Sequence, residues 1–169
     1  PYHYVVEPTN SCNLRCPLCP TGLKIDSRKK GILKIDQFKK ILKKIENSAL
    51  EIFLQNWGEA TLLKYLPEMI KLCSEKKIYT NLSTNFSINY KKDFLLNLIK
   101  SGLTVLHIDL DGTTSETYSK YRINGDLDIV LKNIKEVVTI KKNLGLKYPI
   151  IETTMMAMKH NEHQIEEFK

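Results

Sequence analysis

Three of the four cysteines of this chain fall within eight residues, in the stretch Cys12-Asn-Leu-Arg-Cys16-Pro-Leu-Cys19-Pro. Thiolates so close on one short loop can converge on a single soft-metal centre. Two centres suit them. A cubane cluster has four irons and usually takes four cysteines, so three ligands leave one iron open to bind a further molecule. A structural zinc site also draws ligands two to four residues apart, but needs a fourth donor. His3 is the close candidate for that donor. The fourth cysteine, Cys73, lies far from the loop and stands at helical spacing from Leu66, Met69 and Ile70. It reads as a small buried apolar residue and not as a ligand. The cysteine pattern is no disulfide framework, and it fits a reducing cytoplasm.

Elements that alternate strictly must position the loop. Tyr4–Glu7 reads as a strand ended by Pro8. After the cysteine loop, Asp36 is placed to cap a helix with Phe38, Ile41, Leu42 and Ile45 on one side and Lys39, Lys40, Lys43 and Lys44 on the other. Leu50–Gln55 is a second strand, running into Trp57-Gly58-Glu59, and the Cys73 helix follows. Ile78–Thr84 is a third strand, ended by Asn85. A helix around Phe94, Leu95, Leu98 and Ile99 stops at Gly102. Thr104–Leu110 is a fourth strand, ended by Asp111-Gly112 and followed by an insert from Thr113 to Asp126. A helix with Val130, Ile134, Val137 and Val138 on one side ends at Gly145, and Pro149–Met156 is the fifth strand. Asn161 with Gln164 reads as a capping box for a last helix. Strand–helix alternation implies an α/β fold with a parallel sheet and right-handed crossovers. Both a doubly wound sheet and part of a barrel satisfy it, and both put active sites at the C-terminal strand ends. The polar signatures gather there: the cysteines, Gly58-Glu59, Asn85, and Asp109 to Gly112.

Composition bounds the function. The chain is long enough for one core, and 42% of its residues are apolar. It has no apolar run of about 18 residues, so no membrane-spanning helix is expected. There is no G-x-G-x-x-G turn and no Walker loop. The net charge is +7, with most of the excess between Lys24 and Lys44. Such a face can attract nucleic acid. These lysines carry no interleaved aromatic residues for base stacking, so nucleic acid is not the expected partner. Pro1 stands almost inside a strand and Lys169 inside a helix, which predicts that residues 1–169 belong to a longer protein.

The cysteine motif, with Asn-Leu-Arg inside and Pro after it, resembles the radical S-adenosylmethionine (radical SAM) enzymes, and the resemblance runs along nearly the whole chain. It implies a [4Fe–4S] cluster on Cys12, Cys16 and Cys19, whose open iron chelates S-adenosylmethionine. Trp57-Gly58-Glu59-Ala60 resembles that family's Gly-Glu-Pro motif, with Ala60 where proline is common. There Gly58 would let the backbone approach and Glu59 would accept the methionine ammonium. Asp109-Leu-Asp111-Gly112 with Tyr118 and Tyr121-Arg122 resembles the SPASM-type members, which carry an auxiliary-cluster domain. By that resemblance Asp109, where serine is commoner, and Arg122 hold the cofactor. An ordinary surface ion pair of Arg122 with Asp126 is the alternative. Leu18 stands where an aromatic residue often precedes the third cysteine, and Phe86 where glycine often follows Thr-Asn.

The implied fold is a partial (β/α) TIM-like barrel, five strand–helix units of a six-unit core. The sixth strand and any auxiliary-cluster domain would lie beyond Lys169. The implied activity is reductive cleavage of S-adenosylmethionine to a 5′-deoxyadenosyl radical that abstracts hydrogen from a substrate, a peptide or protein being one class the relatives use. A one-electron donor such as flavodoxin or ferredoxin is the implied partner. The alternative is a non-catalytic zinc or iron–sulfur module with a structural or electron-transfer role. Val105, His107 and Asp109 share one strand face, so His107 reads either as a substrate contact deeper in the barrel or as a satisfied buried histidine.

Overall fold

The structure, a computed structural model, describes residues 1–25 and 27–169. Five strands form one sheet in the order of the sequence: β1 (His3–Val5), β2 (Glu51–Phe53), β3 (Tyr79–Thr84), β4 (Val105–Asp109) and β5 (Ile150–Thr154). Every neighbouring pair is parallel. A doubly wound sheet reverses its order at a switch point. This sheet does not reverse, so the architecture is the open part of a TIM-like barrel.

The crossovers are helices α1 (Ile35–Ile45), α2 (Leu66–Glu75), α3 (Lys92–Lys100), α4 (Ser115–Tyr121) and α5 (Leu127–Asn143), with a short α6 (Ile165–Phe168) at the end. Helices α1, α2, α3 and α5 place an apolar stripe on one face of the sheet. Phe38 and Leu42 of α1, Leu66, Met69, Ile70 and Cys73 of α2, and Leu95, Leu98 and Ile99 of α3 are buried there. They meet Ile52, Leu82, Leu106 and Ile108, all fully buried. Cys73 is part of this core, as its spacing predicts. Among the described residues no helix is long and apolar enough to cross a membrane.

Local differences from the sequence reading have physical reasons. Asp36 is not a cap: it lies in the first turn of α1, which has Lys34 at its N-cap, where Gln37 Oε1 accepts the Lys34 N–H at 2.9 Å. Val138 is 46% exposed, because Asn133, Val137 and Ile140 define the buried side of α5. The insert after β4 contains a helix, α4, capped by the Thr114 side chain. Asp126 does not pair with Arg122; its carboxylate caps α5, accepting the N–H of Ile129 at 3.2 Å. Asn161 and Gln164 make no capping box. The Asn161 amide instead donates to Asp111 O and Met156 O, and Gln164 Oε1 accepts the Thr113 N–H at 2.9 Å. Both residues fasten the chain after β5 to the end of β4.

Candidate metal and cofactor site

The cysteine loop follows β1 and sits over the C-terminal ends of the strands, where a parallel sheet opens its loops to a ligand. All four cysteines are free thiols. Cys16 is buried with Leu14 and Tyr121, and Cys12, Cys19 and Met158 pack against that group. The loop turns tightly: Cys19 N–H donates to Cys16 O at 3.2 Å and Leu23 N–H to Cys19 O at 2.8 Å. At Gly22 a side chain would start 2.2 Å from Cys16 O, so only glycine closes this turn. Arg15 N–H donates to Ile123 O at 3.0 Å, which ties the loop to the segment after α4.

The sulfurs face hydrogen-bond donors. Leu14 N–H lies 3.4 Å from Cys12 Sγ, Asn85 Nδ2 lies 3.7 Å from the same sulfur, and Arg122 Nη1 lies 4.0 Å from Cys16 Sγ. Burial pushes the Cys12 thiol up to about 11, against the pull of the Leu14 N–H. Burial raises Cys16 too, with Arg122 opposing. Thiols held protonated by desolvation ionise when a cationic centre meets them. Three thiols on one partly buried loop, with donors beside two of the sulfurs, are a donor set that suits an iron–sulfur cluster, although among the described residues the sulfurs are not gathered into a ready metal site. His3, the candidate fourth zinc ligand, is turned away: its Nδ1 lies 2.6 Å from Glu51 Oε2 at the far end of β1.

Gly58 and Glu59 lie beside Cys12. At Gly58 a side chain would begin 1.8 Å from Thr9 O, so the glycine is what lets the β2 loop lie against the chain entering the cysteine loop. Glu59 N–H donates to Ser11 O at 2.8 Å across that contact. The Glu59 carboxylate is 3% exposed and turned beneath the rim. Its Oε1 accepts Thr61 N–H at 3.1 Å, Thr61 Oγ1 at 2.5 Å and Thr84 Oγ1 at 2.7 Å; its Oε2 accepts Asn85 N–H at 2.8 Å. Burial raises this carboxyl above the usual range, opposed by those four donors. Tyr90 Oη, 2.6 Å from Thr61 Oγ1, completes the group.

Asp109 and Arg122 lie on the other flank, beside Cys16. Arg122 follows α4, its side chain 13% exposed, with Nε 2.6 Å from Asp111 Oδ2 and Nη2 3.6 Å from Asp109 Oδ2. Burial pulls its pKa down, but Asp111, Asp109 and the Cys16 sulfur more than reverse that. Asp109 also accepts Ser83 Oγ at 3.0 Å and Thr154 Oγ1 at 2.9 Å, bridging three strands. His107 lies one step below Asp109 on the same face, its Nδ1 3.0 Å from Glu152 Oε2 on β5. It is paired and half-exposed.

Sequence reasoning missed Asp111, which it took only as a turn residue before Gly112. Its Oδ2 anchors Arg122 and its Oδ1 accepts Met156 N–H at 2.7 Å. The Asp-Gly pair at a strand end with an arginine eleven residues on was the signal available. Phe86 carries the other lesson. It adopts φ +53, which explains why glycine suits this position, and its ring is fully buried against Tyr90.

This geometry defines a class: a parallel barrel-like sheet with a three-cysteine loop on its rim, between a buried glutamate and a half-buried arginine. The chain belongs to the radical SAM superfamily, whose pattern it matches over residues 6–169. It is similar to GTP 3′,8-cyclase of Clostridium botulinum, with 25% identity over 165 residues, 96% of this chain and 50% of the cyclase. PqqA peptide cyclase of Bradyrhizobium diazoefficiens is 32% identical over 113 residues, 66% of this chain and 29% of that protein. The chain thus spans half the length of the first relative and less of the second. Among solved structures, Streptococcus suis SuiB bound to S-adenosylmethionine superposes with a TM-score of 0.79 at 23% identity, over 99% of this chain and 37% of SuiB. That likeness shows the fold.

Proposed function

We propose that residues 1–169 form the core of a radical SAM enzyme that acts on a peptide or protein. The carrying observation is the cysteine loop: three free thiols, held over the C-terminal strand ends with donors directed at two of the sulfurs. Cys12, Cys16 and Cys19 would ligate a [4Fe–4S] cluster, leaving one iron for S-adenosylmethionine. When bound, the cluster supplies the electron that cleaves S-adenosylmethionine to methionine and a 5′-deoxyadenosyl radical, which takes hydrogen from the substrate. The chain's own residues bind and orient. Gly58 brings the β2 loop against the cysteine loop. Glu59 Oε2 takes one protein donor and keeps a lone pair for the methionine ammonium. Arg122, fixed by Asp111 and Asp109, would meet the methionine carboxylate, with Asp109 beside it. The two sides of this clamp flank the loop at Cys12 and at Cys16. The superfamily membership supports both cofactors.

A peptide substrate is supported by two relatives: a cyclase of the peptide PqqA, and SuiB, also solved bound to the precursor peptide SuiA. A flavodoxin or ferredoxin would supply the electron, and a cytoplasmic setting suits oxygen-sensitive chemistry. The test is incubation of anaerobically reconstituted, dithionite-reduced protein with S-adenosylmethionine. Methionine and 5′-deoxyadenosine should form together, and Cys16→Ala should abolish both. A wild-type protein that holds the cluster and forms neither would overturn the reading.

A further inference from the structure

Asn85, the residue that follows β3, is 4% exposed and makes four polar contacts. Its backbone N–H donates to Glu59 Oε2 at 2.8 Å. Its Oδ1 accepts the backbone N–H of Ser87 at 2.9 Å. Its Nδ2 donates to Asn13 Oδ1 at 3.1 Å and lies 3.7 Å from Cys12 Sγ. The orientation of an asparagine amide follows from its hydrogen-bond partners. Here a backbone N–H can only donate, so the oxygen must face Ser87 and the NH2 group must face Cys12. Asn13, inside the cysteine motif, completes the lock by donating Nδ2 to Ser87 O at 2.9 Å. The amide is therefore held by both its atoms with one N–H aimed at a cluster-ligating sulfur.

We propose that Asn85 sets the reduction potential of the cluster through an N–H···S hydrogen bond to Cys12. This rests on the cluster reading above. A donor at a ligating sulfur favours the more negative, reduced state of the centre, and hydrogen bonds to sulfur are among the factors that set iron–sulfur potentials. Asn85 thus makes the one-electron reduction easier, while its backbone N–H holds Glu59 on the neighbouring strand end. It is a positioning residue, acting through Cys12 and not on substrate.

The experiment is a potentiometric titration of the reconstituted full chain without S-adenosylmethionine, following the reduced cluster by electron paramagnetic resonance. Asn85→Ala should keep about four irons per chain and shift the potential negative. The expected shift lowers the reduced-to-oxidised ratio at a fixed potential by about threefold to tenfold, tenfold being 59 mV for one electron. Asn85→Asp, which puts an acceptor against the sulfur, should shift it further. Asn13→Ala removes one of the groups that hold the Asn85 amide but leaves the donor itself, and should shift the potential less than Asn85→Ala. An unchanged potential in Asn85→Ala overturns the inference. So does loss of the cluster from that variant, which would make Asn85 only a fastener of the loop. An equal shift in Asn13→Ala overturns it as well. A wild-type protein that takes up no iron would instead overturn the cluster reading itself.

Discussion

The two faces of the sheet follow opposite rules. On the helix side stand Ile52, Leu82, Leu106 and Ile108, all buried and apolar. On the opposite side the same strands present Glu51, Asn81, Ser83, His107 and Asp109, and β5 adds Glu152 and Thr154, cross-linked by polar bonds. His3 pairs with Glu51, Asn81 donates to Glu51, the Ser83 N–H donates to Gln55, and His107 pairs with Glu152. A strand alternates its side chains, so one strand can serve a core and a site at once. The apolar face stabilises the sheet, and the polar face and its rim remain available for chemistry.

Paired substitutions on one strand sharpen that contrast most. Leu106→Ala should cost about 2–5 kcal/mol, the range for emptying a packed core site. His107→Ala, one residue on and half-exposed, should cost under about 1 kcal/mol. Denaturant unfolding checks both. Equal losses would show that the polar face also carries the fold.

On the rim, Glu59→Gln and Arg122→Ala should each weaken S-adenosylmethionine binding while iron content holds. Each removes a charge-assisted contact of about 1.5–3 kcal/mol, roughly tenfold to a hundredfold in affinity. Calorimetry on anaerobically reconstituted protein measures it. Unchanged affinity in both variants would show that this clamp is misassigned even with a real cluster. Cys16→Ala should remove the cluster itself.

The smallest effect separates the two kinds of cysteine. Burial pushes the Cys73 thiol up from 9.0 to about 12. A raised folded-state pKa gives stability that is full below pH 9.0 and lost as pH rises through about 12. Cys73→Ala should flatten that alkaline decline, cost about 1 kcal/mol at neutral pH, and leave iron content unchanged. In the apo protein at pH 8, iodoacetamide should modify the loop cysteines before Cys73. Early modification of Cys73 would contradict its place in the core.

The apolar face was legible in the sequence, the polar rim only in part. Helical spacing put Leu66, Met69, Ile70 and Cys73 on one stripe because apolar burial is periodic and local. It misled at Val138, where the period of α5 was read one position off. The cysteines stand out by their spacing, whereas Gly58-Glu59 stands out only through the family resemblance. The partners that hold them were not legible, because they come from elsewhere in the chain. Thr84 meets Glu59 from the end of β3, Asn85 reaches Cys12 across 73 residues, and Asp111 anchors Arg122 from the far side of α4. Asp36, Asn161 and Gln164 show the same limit. Their local pattern suggests caps, but Gln37 and the end of β4 supply the contacts that decide their geometry.

Iron and zinc determination on the full chain, reconstituted anaerobically with iron and sulfide, tests the central claim most directly. About four irons per wild-type chain, absent from Cys16→Ala and retained in Cys73→Ala, is the predicted result. One tightly bound zinc and no iron after the same treatment would contradict it.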